Sequence, residues 1–248
     1  MSQRKNLRSR ILSAPIVLAS AVMMSACGGG GSVSSPTPIT PPPASKWVIM
    51  GSSTAAGTGA TTPAKSWAGL LQAGIAGHNL LVVNIAKSGT TTYDGLPTSS
   101  PPVVGRPAPD PTANVTAALA QAPKALLISY PTNDTALDYA ASGTVANLLA
   151  IRAAALAGNV NVIVLSTQPR DLSPTQLARL VEIDTAVSAA VGGCFVAVRA
   201  LLAGTDSKLN PSYDSSDGIH PNDAGHDVIH QRVRALIDSG SCFTLGAP

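Results

Sequence analysis

Five apolar runs of strand length recur along this chain. They occupy residues 47–50, 80–85, 125–130, 160–166 and 194–198. Each run is continuous rather than alternating, which is the pattern of strands buried on both faces of a parallel sheet. The hydrophobic pattern therefore predicts five strands of one parallel sheet.

Helix-start signals lie between these runs. Thr62-Pro63 and Asp110-Pro111 each place a capping residue before a proline that suits the first turn of a helix, and residues 173–176 form a capping box. A last helix is predicted from about Asp223 to Ser239. Alternation of strands and helices predicts an open, doubly wound α/β sandwich, in which a ligand lies outside the carboxyl ends of the strands.

The amino-terminal segment has the composition of a secretory signal. Basic residues precede an apolar run at 11–24 that is too short for a confident membrane span and contains Pro15. Met24-Ser25-Ala26-Cys27 resembles the lipobox of bacterial lipoproteins, which implies a lipidated Cys27 and a membrane anchor. The alternative is an ordinary cleaved signal beside a stray cysteine.

Residues 28–46 are rich in Gly, Ser, Thr and Pro, which predicts a partly stiff linker. The predicted organisation is thus a signal and lipobox over 1–27, a linker over 28–46 and one domain over 47–248. By resemblance to other lipoproteins, Gly28 after the cysteine favours the outer membrane. The net charge of +3 comes largely from the signal segment, so no nucleic-acid partner is predicted. The oligomeric state stays open.

Two cysteines remain in the predicted domain, Cys194 and Cys242. In an oxidising compartment two such thiols more often pair than stay free, so a disulfide is expected. Neither cysteine has a metal-type partner beside it in the sequence, and no metal site is predicted.

Four short segments, in fixed order, hold the groups that a serine nucleophile requires. Ser53 lies in the turn after the first predicted strand, and Gly89 lies in the turn after the second. A serine in such a turn faces the crevice, and a glycine there offers its N–H to a ligand. In isolation, an ordinary turn residue is the better explanation of each.

The third and fourth segments supply an amide and an acid-base pair. Asn133, after the third predicted strand, could donate to a developing oxyanion, although a simple helix cap explains it equally well. Asp217 and His220 lie just before the last predicted helix, at a spacing that lets one turn bring the carboxylate to the imidazole. A chance surface histidine is the competing interpretation.

Together these segments resemble the SGNH or GDSL hydrolase family from residue 47 onward. The resemblance implies a three-layer, flavodoxin-like α/β/α sandwich with a five-stranded parallel sheet. It also implies Ser53 as nucleophile, Asp217 and His220 as acid and base, and oxyanion donors at Ser53, Gly89 and Asn133. Two positions depart from the family pattern: Ser52 replaces the usual Asp before the nucleophile, and Pro131 replaces the Gly two residues before the asparagine.

The expected activity is hydrolysis of carboxylic esters through an acyl-enzyme, without a metal or organic cofactor. The substrate is a small-molecule or glycan ester, and short acyl chains are favoured because the proline-rich stretch from Asp94 to Asp110 is predicted to form a semi-rigid wall with Leu96, Val103 and Val104. Two alternatives stay open: a carbohydrate O-acetylesterase, and a binding lipoprotein that keeps the fold without turnover.

Overall fold

The computed structural model describes residues 43–244. The predicted signal, Cys27 and nearly all of the predicted linker lie outside the described residues. Five strands are present: β1 (Ser45–Gly51), β2 (Leu80–Asn84), β3 (Ala125–Ser129), β4 (Asn161–Leu165) and β5 (Phe195–Val196). Strand β1 begins at Ser45, so it includes two residues that the sequence pattern assigned to the linker.

All pairings between neighbouring strands are parallel, and the strand order is β2-β1-β3-β4-β5. The predicted five-stranded parallel sheet is therefore confirmed, although β5 is only two residues long. The order reverses direction at β1, because the chain goes first to β2 on one side and then to β3 on the other. The carboxyl ends of β1 and β3 flank this switch point, where open α/β sheets bind ligands.

Eight α-helices connect and cover the strands of the described domain. They are α1 (Ser53–Ala56), α2 (Trp67–Ile75), α3 (Val115–Ala120), α4 (Asn133–Ala136), α5 (Ala141–Ala157), α6 (Pro174–Val191), α7 (Arg199–Leu202) and α8 (Asp223–Ser239). None of the helices in residues 43–244 is long and apolar enough to cross a membrane.

The sheet separates two apolar cores because successive side chains of each strand point to opposite faces. On one face, Ile49 and Leu127 pack with α2 and α8; on the other, Val48 and Leu126 pack with α3, α5 and α6. These strand side chains are fully buried on both faces. Helices on both sides make the three-layer sandwich that the sequence pattern predicted.

The helix-start signals have mixed outcomes. The capping box at Ser173 is present at the start of α6, and α8 spans the predicted residues. Thr62-Pro63 instead begins a single 3-10 turn, and α2 starts later with Ser66 as its cap. Asp110-Pro111 also begins no α-helix, since α3 starts at Val115 after the cap Asn114. In both cases a second capping residue downstream accepts the first-turn N–H group.

A disulfide joins Cys194, directly before β5, to Cys242 in the carboxyl-terminal segment, at a sequence separation of 48 residues. It lies at the amino end of β5, and the carboxyl ends of the strands lie at the other end of the sheet. The bond ties the segment after α8 to the sheet.

Candidate active site

The turn that carries the predicted nucleophile Ser53 (residues 51–53, hereafter the nucleophile turn) is built by a close approach of β1 to β3. The Ser52 N–H donates to the Ser129 carbonyl at 3.0 Å. A Cβ placed on Gly51 would lie 1.9 Å from the same carbonyl oxygen, so a side chain at this position would push the strands apart. The chain then enters α1, with Ser53 as its first residue.

Helix α1 is only four residues long, and two side chains from elsewhere bind its carbonyl oxygens. The Trp67 indole N–H donates to the Thr54 carbonyl at 3.1 Å, and the Asn84 amide donates to the Ala55 carbonyl at 2.7 Å. Trp67 is fully buried beneath the turn. A helix this short has no internal stability of its own, so these contacts fix the direction of the Ser53 side chain.

The loop from Asp214 to Pro221, hereafter the acid-base loop, is held by its own carboxylates. Asp214 Oδ1 accepts from the N–H groups of Ser216, Asp217 and Gly218 at 3.0 to 3.2 Å. Ser216 has a positive φ of 81°, a conformation that costs free energy for a residue with a Cβ. The Asp214 hydrogen bonds offset that cost.

Within this loop Asp217 and His220 meet in the way that the three-residue spacing predicted. Asp217 Oδ2 lies 2.6 Å from His220 Nδ1, and Asp217 Oδ1 accepts from the Ile219 and His220 N–H groups at 2.8 Å each. Partial burial by itself would raise the pKa of Asp217, but the hydrogen bonds from His220 and Ile219 outweigh it and lower the pKa to about 2. The carboxylate is therefore charged over the whole physiological range.

His220 connects this carboxylate to Ser53. Its Nε2 lies 2.8 Å from Ser53 Oγ. When the neutral imidazole has its proton on Nδ1, that N–H donates to Asp217, and Nε2 is free to accept the Ser53 hydroxyl proton. The structure thus brings the three residues predicted from sequence into one hydrogen-bonded series that can generate an alkoxide-like nucleophile.

The predicted oxyanion donors are tied together through Thr90. Its hydroxyl donates to the Gly51 carbonyl at 3.0 Å, and its carbonyl accepts from the Asn133 amide Nδ2 at 2.8 Å. Gly89 has a φ of 84° and open space around its Cα. In the described part of the chain, the N–H groups of Ser53 and Gly89 have no acceptor. Two backbone donors and one remaining amide N–H are therefore available to a ligand.

A buried carboxylate below Asn133 fixes the same two segments. Asp134 accepts from the N–H of Thr92 at 3.0 Å and from its hydroxyl at 2.5 Å. Asn147 of α5 donates to the same hydroxyl at 3.0 Å. Burial raises the pKa of Asp134 above its usual value, although the Thr92 hydrogen bonds lower it in part. This network holds the Gly89 segment against the start of α4, which presents Asn133.

The two departures from the family pattern are both buried. The Ser52 hydroxyl is shielded from solvent and has no hydrogen-bond partner among the described residues. It provides no side-chain cap for α1. Pro131 is buried directly before Thr132, the N-cap of α4. Neither residue interrupts the series from Asp217 through His220 to Ser53.

The proline-rich loop between Asp94 and Asp110 is fastened at its base. The Asp110 N–H donates to the Asp94 carbonyl at 2.9 Å, and Lys87 pairs with the Asp110 carboxylate at 2.5 Å. Higher in the loop, Arg106 lies over the Tyr139 ring, 3.7 Å from its centroid. Because Lys87 belongs to the Gly89 segment, the loop starts beside the crevice, as the sequence predicted.

The prediction that Leu96, Val103 and Val104 form a wall of the crevice is wrong for Leu96. Leu96 packs into the core below the sheet, Val104 is fully exposed and Val103 is about half exposed. Leu96 therefore belongs to the core and not to a crevice wall, whereas Val103 and Val104 pack into neither apolar core of the described domain. Hydrophobicity alone could not distinguish a core anchor from a solvent-exposed tip.

Several residues that position the site had no signal in the local sequence. Gln168 donates to the Ile219 carbonyl at 2.8 Å, and the Asp171 N–H donates to the Gly218 carbonyl at 2.7 Å, so both brace the acid-base loop. Arg170, between them, has its guanidinium 3.5 Å from Asn133 Oδ1. All three follow β4, and only the sheet topology places that connection beside the crevice.

The remaining histidines lie outside this series. His226 is fully buried, accepts the Trp67 N–H at 3.3 Å on Nδ1 and contacts the Thr58 carbonyl through Nε2 at 3.0 Å. Burial lowers its pKa below the usual value, so the neutral form supports the nucleophile turn through Trp67. In residues 43–244 no group of three or more His, Cys, Asp or Glu side chains could hold a metal ion.

The protein is a three-layer α/β/α sandwich with a hydrogen-bonded series of Ser53, His220 and Asp217 at the switch point of its parallel sheet. Residues 49–228 match the model of the GDSL-like Lipase/Acylhydrolase family, and the chain belongs to that family. Membership supports hydrolysis of esters in general. A comparison with curated protein sequences finds no match.

Solved structures agree on the fold. The chain is similar to TesA (23% identity over 77% of this chain and 97% of TesA, TM-score 0.60). It is also similar to the psychrotrophic esterase EstA from a Pseudoalteromonas species (18% identity, 78% and 97% coverage, TM-score 0.58). A third similar structure is a GDSL-like lipase from Bacteroides thetaiotaomicron (20% identity, 79% and 88% coverage, TM-score 0.57).

Proposed function

We propose that this protein is a serine esterase that hydrolyses carboxylic esters through an acyl-enzyme. The observation that supports it best is the continuous series in which Asp217 Oδ2 lies 2.6 Å from His220 Nδ1 and His220 Nε2 lies 2.8 Å from Ser53 Oγ. No other side-chain set in the described domain joins a nucleophile, a base and an orienting carboxylate at the carboxyl ends of the sheet.

In the proposed reaction His220 takes the hydroxyl proton as Ser53 Oγ bonds to the ester carbonyl carbon. The carbonyl oxygen becomes an oxyanion that accepts from the Ser53 and Gly89 N–H groups and from the Asn133 amide. Asp217 stabilises the imidazolium. The C–O bond then breaks as His220 gives its proton to the leaving alcohol, and water, activated by His220, releases the acid and restores Ser53.

For the substrate we propose a preference in acyl chain length and not a single compound. We propose short acyl chains, on the ground that the proline-rich loop beside the crevice offers few large apolar side chains to a long acyl group. Nitrophenyl esters of two, four, eight and twelve carbons, all measured below saturation, test this preference. A kcat/KM that increases steadily with chain length would contradict it.

The nucleophile is tested by replacing Ser53 and His220 separately with Ala in the domain from residue 43 onward. Each variant should lose on the order of 10⁴-fold or more in kcat, because nucleophile and base act as one unit. Ser99→Ala, an exposed serine in the proline-rich loop, is the matched control and should keep wild-type turnover.

A phosphonate provides a second test of the same residue. The structure of the similar EstA is described as inhibited by monoethylphosphonate. The Ser53 Oγ should attack the phosphorus of an activated phosphonate ester and expel its nitrophenolate, and peptide mass spectrometry should locate the phosphonyl group on Ser53. Labelling that persists in the Ser53→Ala variant, or folded Ser53→Ala enzyme with normal turnover, would refute the proposal.

We also propose that Cys27 is lipidated and holds the domain at the cell envelope, at the outer membrane. The support is the Met24-Ser25-Ala26-Cys27 sequence followed by a linker rich in Gly, Ser and Pro. In a bacterial host that processes lipoproteins, the full chain should fractionate with membranes, and Cys27→Ser should move it to the soluble fraction. Unchanged fractionation of the Cys27→Ser chain would contradict the anchor.

A further inference from the structure

Arg170 occupies a fixed position at the rim of the crevice. It follows β4 in a segment whose neighbours Gln168 and Asp171 hydrogen-bond to the acid-base loop at 2.8 and 2.7 Å. Its backbone therefore cannot move independently of the residues beside His220. A long side chain that leaves such a fixed backbone is a suitable element for binding part of a substrate.

The Arg170 guanidinium lies between two parts of the proposed machinery. One of its nitrogens is 3.5 Å from Asn133 Oδ1, and Asp217 attracts its charge from a greater distance. Partial burial lowers the pKa of Arg170, and the Asp217 charge opposes that shift. The side chain is thus a partly desolvated cation next to the position where the ester carbonyl would bind.

The described domain holds six other arginines, of which Arg152 and Arg232 also form no ion pair within residues 43–244 but lie on α5 and α8 rather than in a connection at the carboxyl ends of the strands. Arg179, Arg199 and Arg234 each pair with an aspartate, at 3.3, 2.7 and 2.8 Å. Arg106 instead covers an aromatic ring. Arg170 forms no ion pair within residues 43–244, and the long contact with Asn133 occupies only one of its five N–H donors.

A half-buried guanidinium without a carboxylate partner is costly unless an anion completes it. Its planar fork matches the two oxygens of a carboxylate or phosphate. We propose that Arg170 binds an anionic oxygen group of the substrate, so that the enzyme prefers esters bearing a carboxylate or phosphate close to the scissile bond. This inference rests on the proposed esterase function.

Matched ester pairs test it. On the alcohol side, 4-acetoxybenzoate is compared with its neutral methyl ester; on the acyl side, phenyl hydrogen succinate is compared with methyl phenyl succinate, with phenol release as the readout. A further ester, 4-acetoxyphenyl phosphate, compares phosphate with carboxylate. Each kcat/KM is measured for wild type, Arg170→Gln, Arg170→Lys and the control Arg234→Gln.

Arg170→Gln should lower the ratio of anionic to neutral kcat/KM at least about 10-fold for one of the pairs, as expected for a lost charge-assisted hydrogen bond. Arg170→Lys should lower it less, because the charge stays but the fork is lost. Arg234→Gln removes the same charge eleven residues into α8 and should leave the ratio unchanged. The pair that responds identifies the side of the ester that Arg170 contacts.

The proposal would be overturned if Arg170→Gln left the ratio of anionic to neutral kcat/KM unchanged in every pair. If both values fell equally, Arg170 would only orient the Asn133 amide; if neither fell, Arg170 would have no role in the reaction. Direct binding of the intact esters to Ser53→Ala, with and without Arg170→Gln, gives a readout that needs no turnover. If wild type hydrolyses no ester, the esterase function fails, while this binding comparison still decides the role of Arg170.

Discussion

The nucleophile turn and the acid-base loop meet at one hydrogen bond, yet they are held in place in different ways. The nucleophile turn is supported by groups distant in sequence: the fully buried Trp67 indole and the Asn84 amide donate to the carbonyls of α1. The acid-base loop is supported mainly from within, by Asp214 and Asp217, whose carboxylates accept N–H groups two to four residues away.

This difference separates tertiary from local control of the site. A turn whose carbonyl oxygen is bound by a fully buried side chain, as Thr54 is by Trp67, is as rigid as the core around that side chain. Trp67 cannot move without disturbing the residues packed against it. A partly exposed loop held by its own carboxylates depends on a few hydrogen bonds to N–H groups, and each is a separate point of failure. We therefore expect substitutions in the loop to affect turnover more than stability.

The largest effect in this comparison is expected at Asp217. Asp217→Asn keeps the size of the side chain but can no longer stabilise the imidazolium, and an amide N–H directed at His220 favours the wrong tautomer. The kcat should fall on the order of 10⁴-fold. Circular dichroism and thermal melting should show a folded protein, and Asp206→Asn, an exposed aspartate in another turn, is the control. Loss of less than about 10-fold would mean that the carboxylate does not orient His220.

The same residue sets the shape of the pH profile. Its folded-state pKa of about 2 lies below the ordinary value of 3.8, so Asp217 stays charged as pH falls and is neutralised only when pH falls through about 2. Between neutral pH and about pH 3, protonation of Asp217 should therefore add nothing to the pH dependence of kcat/KM, so the loss of activity should involve no more than one proton. A plot of log kcat/KM against pH should have a slope no greater than one. A slope of two within that interval would show that Asp217 is also titrating there.

The parts of the site that the sequence predicted are the ones with local patterns. The spacing of Asp217 and His220 allows one turn to join them, and the capping box at Ser173 is complete within four residues. Thr90 and Arg170 have no such pattern, because their partners Gly51 and Asn133 lie 39 and 37 residues away. Only the order of strands in the sheet brings these pairs together.

An intermediate effect is expected at Asp214, which performs no chemistry. Asp214→Ala removes the acceptor for three N–H groups and leaves the positive φ of Ser216 without support. We expect kcat to fall on the order of 10-fold with little change in KM, since His220 would spend less time in line with Ser53. Asp214→Asn retains one acceptor oxygen and should recover part of the loss. If Asp214→Ala turns over like wild type, the loop is held by Gln168 and Asp171 instead.

The sequence did not predict which apolar side chains of the proline-rich loop are buried, and the cause is related. Leu96 and Val104 are equally apolar in the proline-rich loop, but one is buried in the core and the other is fully exposed. The difference is set by where the base of the loop is fastened, through Lys87 and Asp110, and that ion pair joins residues 23 apart. Composition therefore predicted a stiff loop but not the direction of its side chains.

The smallest effect is expected at Ser52, the residue that departs from the family pattern next to the nucleophile. Its hydroxyl is buried without a partner, so removing it costs no hydrogen bond and relieves the penalty of desolvating a polar group. Ser52→Ala should leave kcat within about 2-fold of wild type and should raise the free energy of unfolding by up to about 1 kcal/mol.

Ser66→Ala is the matched control: that serine is also buried, but it accepts the Gly69 N–H at 3.1 Å and caps α2. Its loss should cost about 1 kcal/mol. Urea unfolding of both variants gives the sign of each change, and a Ser52→Ala variant destabilised as much as Ser66→Ala would show that the Ser52 hydroxyl does support the nucleophile turn.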